Sequence, residues 1–179
     1  IEFLKPAKPS ATALSFYYPK YILGQALLYQ LNPEALVYFD IYVEKYSGDN
    51  YKKAALQKSA WASFIAGDST SYHRKMKKIL MGGKVLLDSD KSAQKEAKMV
   101  EQGYLPNLWL LRSRLQFDGL YYDGALAELN KTEIAKLSPS EVLEYHYRKG
   151  RIYHEKKMLV QAKASYELAL KLGAASDSY

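Results

Sequence analysis

Apolar residues in this chain return every three or four positions almost from end to end, and apolar–polar alternation never lasts more than a few residues. That period commits the chain to burying helix stripes rather than strand faces. Ile22, Leu23, Ala26, Leu27 and Tyr29 make the first stripe from Tyr17 onward. Asn32-Pro33-Glu34 breaks it and restarts a helix, with Asn32 placed to cap and Pro33 in a first turn where its missing N–H costs nothing. A second stripe runs through Ala35, Leu36, Tyr38, Phe39, Tyr42 and Val43 to Ser47-Gly48-Asp49-Asn50. The pattern then predicts helices over residues 54–66, 71–81, 88–102, 108–117, 122–129, 140–156 and 159–172, stopped by Gly67, Gly82-Gly83, Gly103, Gly119 and Gly173. For the helix over 88–102 the expected cap is Ser89 or Asp90. The fold class expected is all-α, a row of helical hairpins joined by short turns.

A chain of 179 residues can bury about 70% of the surface it exposes when unfolded. With 48% hydrophobic residues it has the material for that core, and it is not a disordered composition. It has no cysteine, which removes disulfide scaffolds, thiol catalysis and thiolate metal sites. No stretch approaches the roughly 20 apolar residues of a membrane-spanning helix. Residues 1–16, with Pro6 and Pro9, read as a linker or partial helix, and residues 17–179 as one helical repeat domain. The chain opens at Ile1 rather than Met, so it reads as a fragment of a longer protein, and its compartment is left open.

The hairpins repeat in sequence as well as in period. Gly150-Arg151-Ile152-Tyr153 followed by Ala162-x3-Tyr166, with Ala169 seven further on, reproduces the G-x2-Y and A-x3-aromatic pattern of the tetratricopeptide repeat. Lys149 and His146 depart from it, standing where the family has leucine and tryptophan. Leu23-Gly24 with Ala35-x3-Phe39 is a second match, its turn one residue shorter. Trp109 with Ala125-x3-Leu129 is a third, in which Arg112 falls near the glycine position. The weakest has Ala60 for the glycine and Tyr72 where a small residue belongs. Gly24, Ala60, Arg112 and Gly150 then step by 36, 52 and 38 residues, and the long middle step accommodates the extra helix over 88–102. Over residues 17–175 the chain thus resembles a divergent tetratricopeptide protein of the bacterial type without assigned role. That resemblance implies an α-solenoid, a right-handed superhelix of about four hairpins plus one extra helix.

In the resembling family the first helix of each hairpin lines a concave groove. The corresponding positions here are Tyr18, Tyr21 and Gln25; Gln57, Lys58 and Trp61; Trp109, Ser113 and Gln116; and Tyr147, Arg148, Arg151 and His154. The resemblance therefore places a partner-binding groove on Tyr21, Gln25, Lys58, Trp61, Trp109, Gln116, Tyr147, Arg148, Arg151 and His154. No asparagine occupies these places, so the family's carboxylate clamp for chaperone tails is not matched. Most of the 17 tyrosines are expected in packing between hairpins.

Chemistry is thin by comparison. His146 and His154 lie two helical turns apart, too far to share a metal, and no HExxH, paired-cysteine or P-loop spacing occurs. Gly82-Gly83-Lys84 lacks the first glycine and the following Ser or Thr of a phosphate loop. No catalytic residue, metal or cofactor is assigned. Net charge is +7, and residues 51–103 carry 11 basic against 5 acidic side chains, densest at His73-Arg74-Lys75-Met76-Lys77-Lys78. An amphipathic helix with a solvated lysine face explains that run first, and a phosphate-contacting patch second. The expected function is a non-enzymatic scaffold binding a peptide or protein segment in an aromatic and basic groove. Two alternatives stay open: a binder of nucleic acid or an anionic surface, and an accessory domain of a larger enzyme.

Overall fold

The computed structural model describes residue 10 and residues 12–176; most of the proline-containing opening segment lies outside the described residues. Nine α-helices follow one another, and no strand occurs among the described residues. They are α1 (Leu14–Tyr29), α2 (Ala35–Lys45), α3 (Lys52–Ile65), α4 (Ser69–Met81), α5 (Asp88–Glu101), α6 (Leu108–Asp118), α7 (Tyr122–Leu129), α8 (Pro139–Glu155) and α9 (Leu159–Ser176). The all-helical expectation holds, with most boundaries within two or three residues; α9 is an exception, since it continues through the expected stop Gly173 to Ser176. α1 starts at Leu14, inside the segment read as linker, and keeps Pro19 within it. Two compact units divide at Leu105–Pro106, one built on α1–α5 and the other on α6–α9.

In the first unit α3 packs against α2, α4 and α5. Its small residues Ala54, Ala55, Ser59, Ala60, Ala62 and Ser63 are all buried, which lets three helices approach one axis. Buried Lys53 donates to the Ile79 carbonyl of α4 (2.5 Å), and Lys52 donates to the Val43 (2.5 Å) and Tyr46 carbonyls at the end of α2. Each lysine thus meets the negative end of a neighbouring helix. Rings of Tyr17, Tyr21, Tyr42, Tyr46 and Phe39 fill the core beside α2, with centroids 5.1–6.0 Å apart. The second unit has a largely aliphatic core of Leu110, Ala125, Leu129, Tyr145 and Ile152.

Three caps differ from the sequence reading. α2 begins at Ala35 behind Glu34, two residues past the expected cap Asn32, whose Oδ1 accepts from the Glu34 N–H (2.9 Å) instead. α5 begins at Asp88, not after Ser89 or Asp90. Asp90 sits in its first turn and accepts backwards from the Leu87 (3.3 Å) and Leu86 (3.4 Å) backbone N–H groups. Its other oxygen accepts from the Ala54 N–H (3.2 Å) at the start of α3, so one fully buried carboxylate serves two helix N-termini. α4 begins two residues before Ser71, because Asp68 caps it through the Ser71 N–H (2.8 Å).

Four hairpin turns share one geometry. Leu31, Gly67, Leu120 and Lys157 all have positive φ, at 57°, 84°, 66° and 60°. In each turn the next residue's N–H closes a six-residue loop back onto the helix: Asn32 to Leu27, Asp68 to Ser63, Tyr121 to Gln116 and Met158 to Tyr153, all at 2.8–2.9 Å. This is the Schellman closure of a helix C-terminus. Counting seven residues back from each left-handed residue gives Gly24, Ala60, Ser113 and Gly150. The glycine-equivalent position of the third hairpin is therefore Ser113 rather than Arg112. Ser113 is buried and donates to the Ala125 carbonyl (2.8 Å), while Arg112 turns aside to Glu128. A Cβ on Gly24 would meet the Phe39 ring at 3.1 Å, and one on Gly150 would meet the Tyr166 ring at 2.7 Å. Small residue and aromatic face each other within both hairpins.

Candidate functional site

The positions assigned to a groove fall into three separate settings. In the first unit, Tyr21 is buried and stacks on Tyr51 (5.1 Å). Trp61 is 9% exposed, and its indole N–H donates to Glu96 Oε1 (2.7 Å), whose other oxygen accepts from Gln57 (2.6 Å). Lys58 lies over both the Tyr21 ring (5.4 Å) and the Trp61 ring (5.9 Å). Gln25 is half-buried on α1. The burial of Tyr21 and Trp61 leaves a partner little of either ring. Glu96, which organises this corner, was invisible in sequence, because nothing local ties an α5 glutamate to an α3 tryptophan.

Trp109 is the second setting. Arg112 and Lys131 lie over its ring at 5.7 and 5.2 Å, and both pair with Glu128, at 2.7 and 2.8 Å. This cluster joins α6 to the end of α7. Burial pushes the Glu128 carboxyl upward, but the hydrogen bonds and charges of Arg112 and Lys131 outweigh it and hold the group below its ordinary range.

The third setting brings predicted residues together at a surface. A tight recess between α6 and α8, with no room in it for a water molecule, is lined by Ser113, Phe117, Arg148, Arg151 and Ile152. The Arg151 guanidinium stacks on the Phe117 ring at 4.3 Å and reaches the Tyr147 ring at 5.9 Å. Tyr147 is 49% exposed beside it. Arg148 donates to Glu144 from Nε (2.7 Å) and Nη2 (2.5 Å). Burial and the like charge of Arg114 both weaken the hold of Arg148 on its proton, against the pull of Glu144. Arg151 forms no ion pair with a carboxylate among the described residues. The cation left to a partner is thus Arg151, half-buried and braced on an aromatic face, while Arg148 beside it is largely buried and spent on Glu144. Such a fork suits a carboxylate or phosphate, and stacking holds it without cancelling its charge.

Gln116 and His154 lie outside this recess. Gln116 packs over Gly124, where a Cβ would meet its Oε1 at 2.5 Å, and His154 is exposed at the end of α8. Phe117 completes the site and was missed by the family register. It was legible only as the last residue of the helix expected over 108–117.

One cluster has the composition of a nucleophile site. Lys75 Nζ donates to Ser59 Oγ (2.6 Å) and to Asp40 (3.0 Å), and Ser59 donates to Asp40 (2.6 Å). Ser59 has no exposed surface, so its hydroxyl ties α3 to α2 and α4 with no room for a substrate. Among the described residues no three His, Asp or Glu side chains are grouped to hold a metal ion. No helix among them is long and apolar enough to cross a membrane. The chain matches no protein-family model, no curated protein and no solved structure.

Proposed function

We propose that this chain is a non-enzymatic interaction scaffold of tetratricopeptide type, and that the α6–α8 recess binds a protein segment carrying an acidic side chain next to an apolar one. The observation that carries this reading is Arg151, stacked on Phe117 and without a carboxylate partner among the described residues. An acidic side chain would complete its fork, while an apolar neighbour would lie on Phe117 and Tyr147. Arginine and tyrosine are types enriched at binding hot spots, since each joins large contact area to a charged or polar end. The shared turn geometry of four hairpins, and the two small-residue-to-aromatic contacts, support the repeat assignment.

The test is selection of binders from a random peptide library, followed by titration of the selected peptides. Peptides pairing Asp or Glu with an aromatic or aliphatic residue are expected, and Arg151→Glu should weaken them about tenfold or more while leaving the melting temperature unchanged. Arg148→Glu combined with Arg151→Glu should abolish binding. Peptides that bind Arg151→Glu as tightly as the parent would refute the assignment. Binding of an oligonucleotide instead, with affinity falling steeply as salt rises, would establish the phosphate reading.

A further inference from the structure

The basic run of α4 plays no part in the function proposed above, and it borders a groove within its own unit. Between α4 and α5 lies a groove of about 240 Å³. Its apolar lining comes from Met76 and Leu80 on α4 and from Ala97 and Val100 on α5. His73, Lys77 and Glu101 form its polar edges. The groove is smaller than the roughly 300–1,000 Å³ of typical small-molecule pockets, and it is open along two helices. Space of that size and shape fits a few apolar side chains projecting from one face of a helix.

Charge decides the rest. The acidic groups of α5 are mostly committed inward or locally: Asp90 to backbone N–H groups, Glu96 to Trp61 and Gln57, and Asp88 to Lys91. On α4, Lys75 is taken by Asp40. Arg74, Lys77, Lys78, Lys95 and Lys98 are exposed and pair with no carboxylate among the described residues. Of these five only Lys77 lines the groove, together with Glu101, and Arg74 also feels the Asp68 carboxylate that caps α4. Arg74, Lys77 and Met81 follow one another at helical spacing along α4, so cation and apolar surface are interleaved. Met81 is 76% exposed and Met99 38% exposed. Methionine is the side chain that re-forms most readily around a partner's shape.

We infer that the α4–α5 groove is a docking surface for an acidic amphipathic helix of another protein, with an apolar side chain entering beside half-buried Leu80, over a floor otherwise closed at Met76, Ala97 and Val100, and carboxylates meeting Arg74, Lys77 and Lys98. The unbalanced cations set the sign of the partner, and the apolar floor separates it from a purely electrostatic ligand. A nucleic acid would use the lysines and leave the floor empty.

The experiment uses a synthetic peptide with leucine at positions i, i+3 and i+7 and glutamate elsewhere, labelled with a fluorophore. Beside it run a peptide with serine replacing leucine, single-stranded oligothymidine, and vesicles with anionic lipid. The leucine peptide should bind and the serine peptide should not. Lys77→Glu with Lys98→Glu should weaken the leucine peptide about tenfold or more, since both cations flank the groove. The chain has four methionines, Met76, Met81, Met99 and Met158. With methyl-labelled methionine, the peptide should shift the Met76 resonance and leave Met158 in place, a readout that needs no substitution. An unmoved Met76, binding that survives the double substitution, or a serine peptide, oligothymidine or vesicle that binds as tightly as the leucine peptide would each overturn the inference.

Discussion

Asp90 in the first unit and Glu128 in the second are both buried carboxylates, and they are satisfied by opposite means. Asp90 accepts from three backbone N–H groups that belong to the start of α3 and the approach to α5. Glu128 accepts from two cationic side chains, Arg112 and Lys131, which also lie over Trp109. A backbone donor cannot turn away when its acceptor is lost, whereas a long cationic side chain can swing to water. The first carboxylate is therefore tied to the position of helices, and the second to the pairing of surface charges. The difference extends to the cores around them, since tyrosine rings fill much of the first unit and aliphatic side chains the second.

The largest effect should come from Asp90→Ala. It strands three backbone donors at two helix starts, and about 3 kcal/mol of stability should be lost, because each buried unsatisfied donor costs roughly 1–3 kcal/mol and water can re-enter some of the space. Chemical denaturation followed by far-ultraviolet circular dichroism measures this, and the loss should not shrink in high salt. Glu128→Gln should cost less, about 1 kcal/mol, with a loss that does shrink as salt screens the Arg112 and Lys131 charges. A larger loss at Glu128 than at Asp90 would invert the comparison.

Acid sharpens it further. The Glu128 carboxyl titrates below its ordinary value of 4.5, so its contribution is present above that pH and is lost as pH falls through the lower folded value. Parent protein should lose stability below pH 4.5 more steeply than Glu128→Gln does. Identical acid profiles for the two would show that the charge pairing contributes nothing in that window.

The smallest effects lie in the turns. Lys157 holds the left-handed conformation that Gly67 holds in the first unit. Lys157→Gly should stabilise by about 0.5–1 kcal/mol, and Gly67→Ala should destabilise by a similar amount, since a Cβ in that conformation costs roughly 1 kcal/mol or more. Nothing lies within 4 Å of a Cβ on Gly67, so the backbone conformation alone is tested there. Opposite signs in the two melting temperatures confirm that the turns are equivalent.

Three of the four equivalent turns were legible only as breaks in the helical pattern, because Leu31, Leu120 and Lys157 are not residues that signal a left-handed conformation. The same masking put Arg112 in place of Ser113, one residue off, which exchanges a buried hydroxyl for a partly exposed cation. The candidate site was legible in half. Tyr147, Arg148 and Arg151 follow from the repeat register of the last hairpin, but Phe117 comes from another hairpin and no local pattern links it to Arg151.

The period of the apolar residues alone determined an all-helical chain and the number of its α-helices, because helix stripes are written in local spacing. Only the tertiary structure decided which charged groups are spent. Asp90, Glu96, Lys75 and Arg148 are held by partners 3–39 residues away, whereas Arg151, Lys77 and Lys98 meet no carboxylate among the described residues. A sequence records each charge, but whether that charge remains available to a partner depends on which neighbours the packed helices bring within hydrogen-bonding distance.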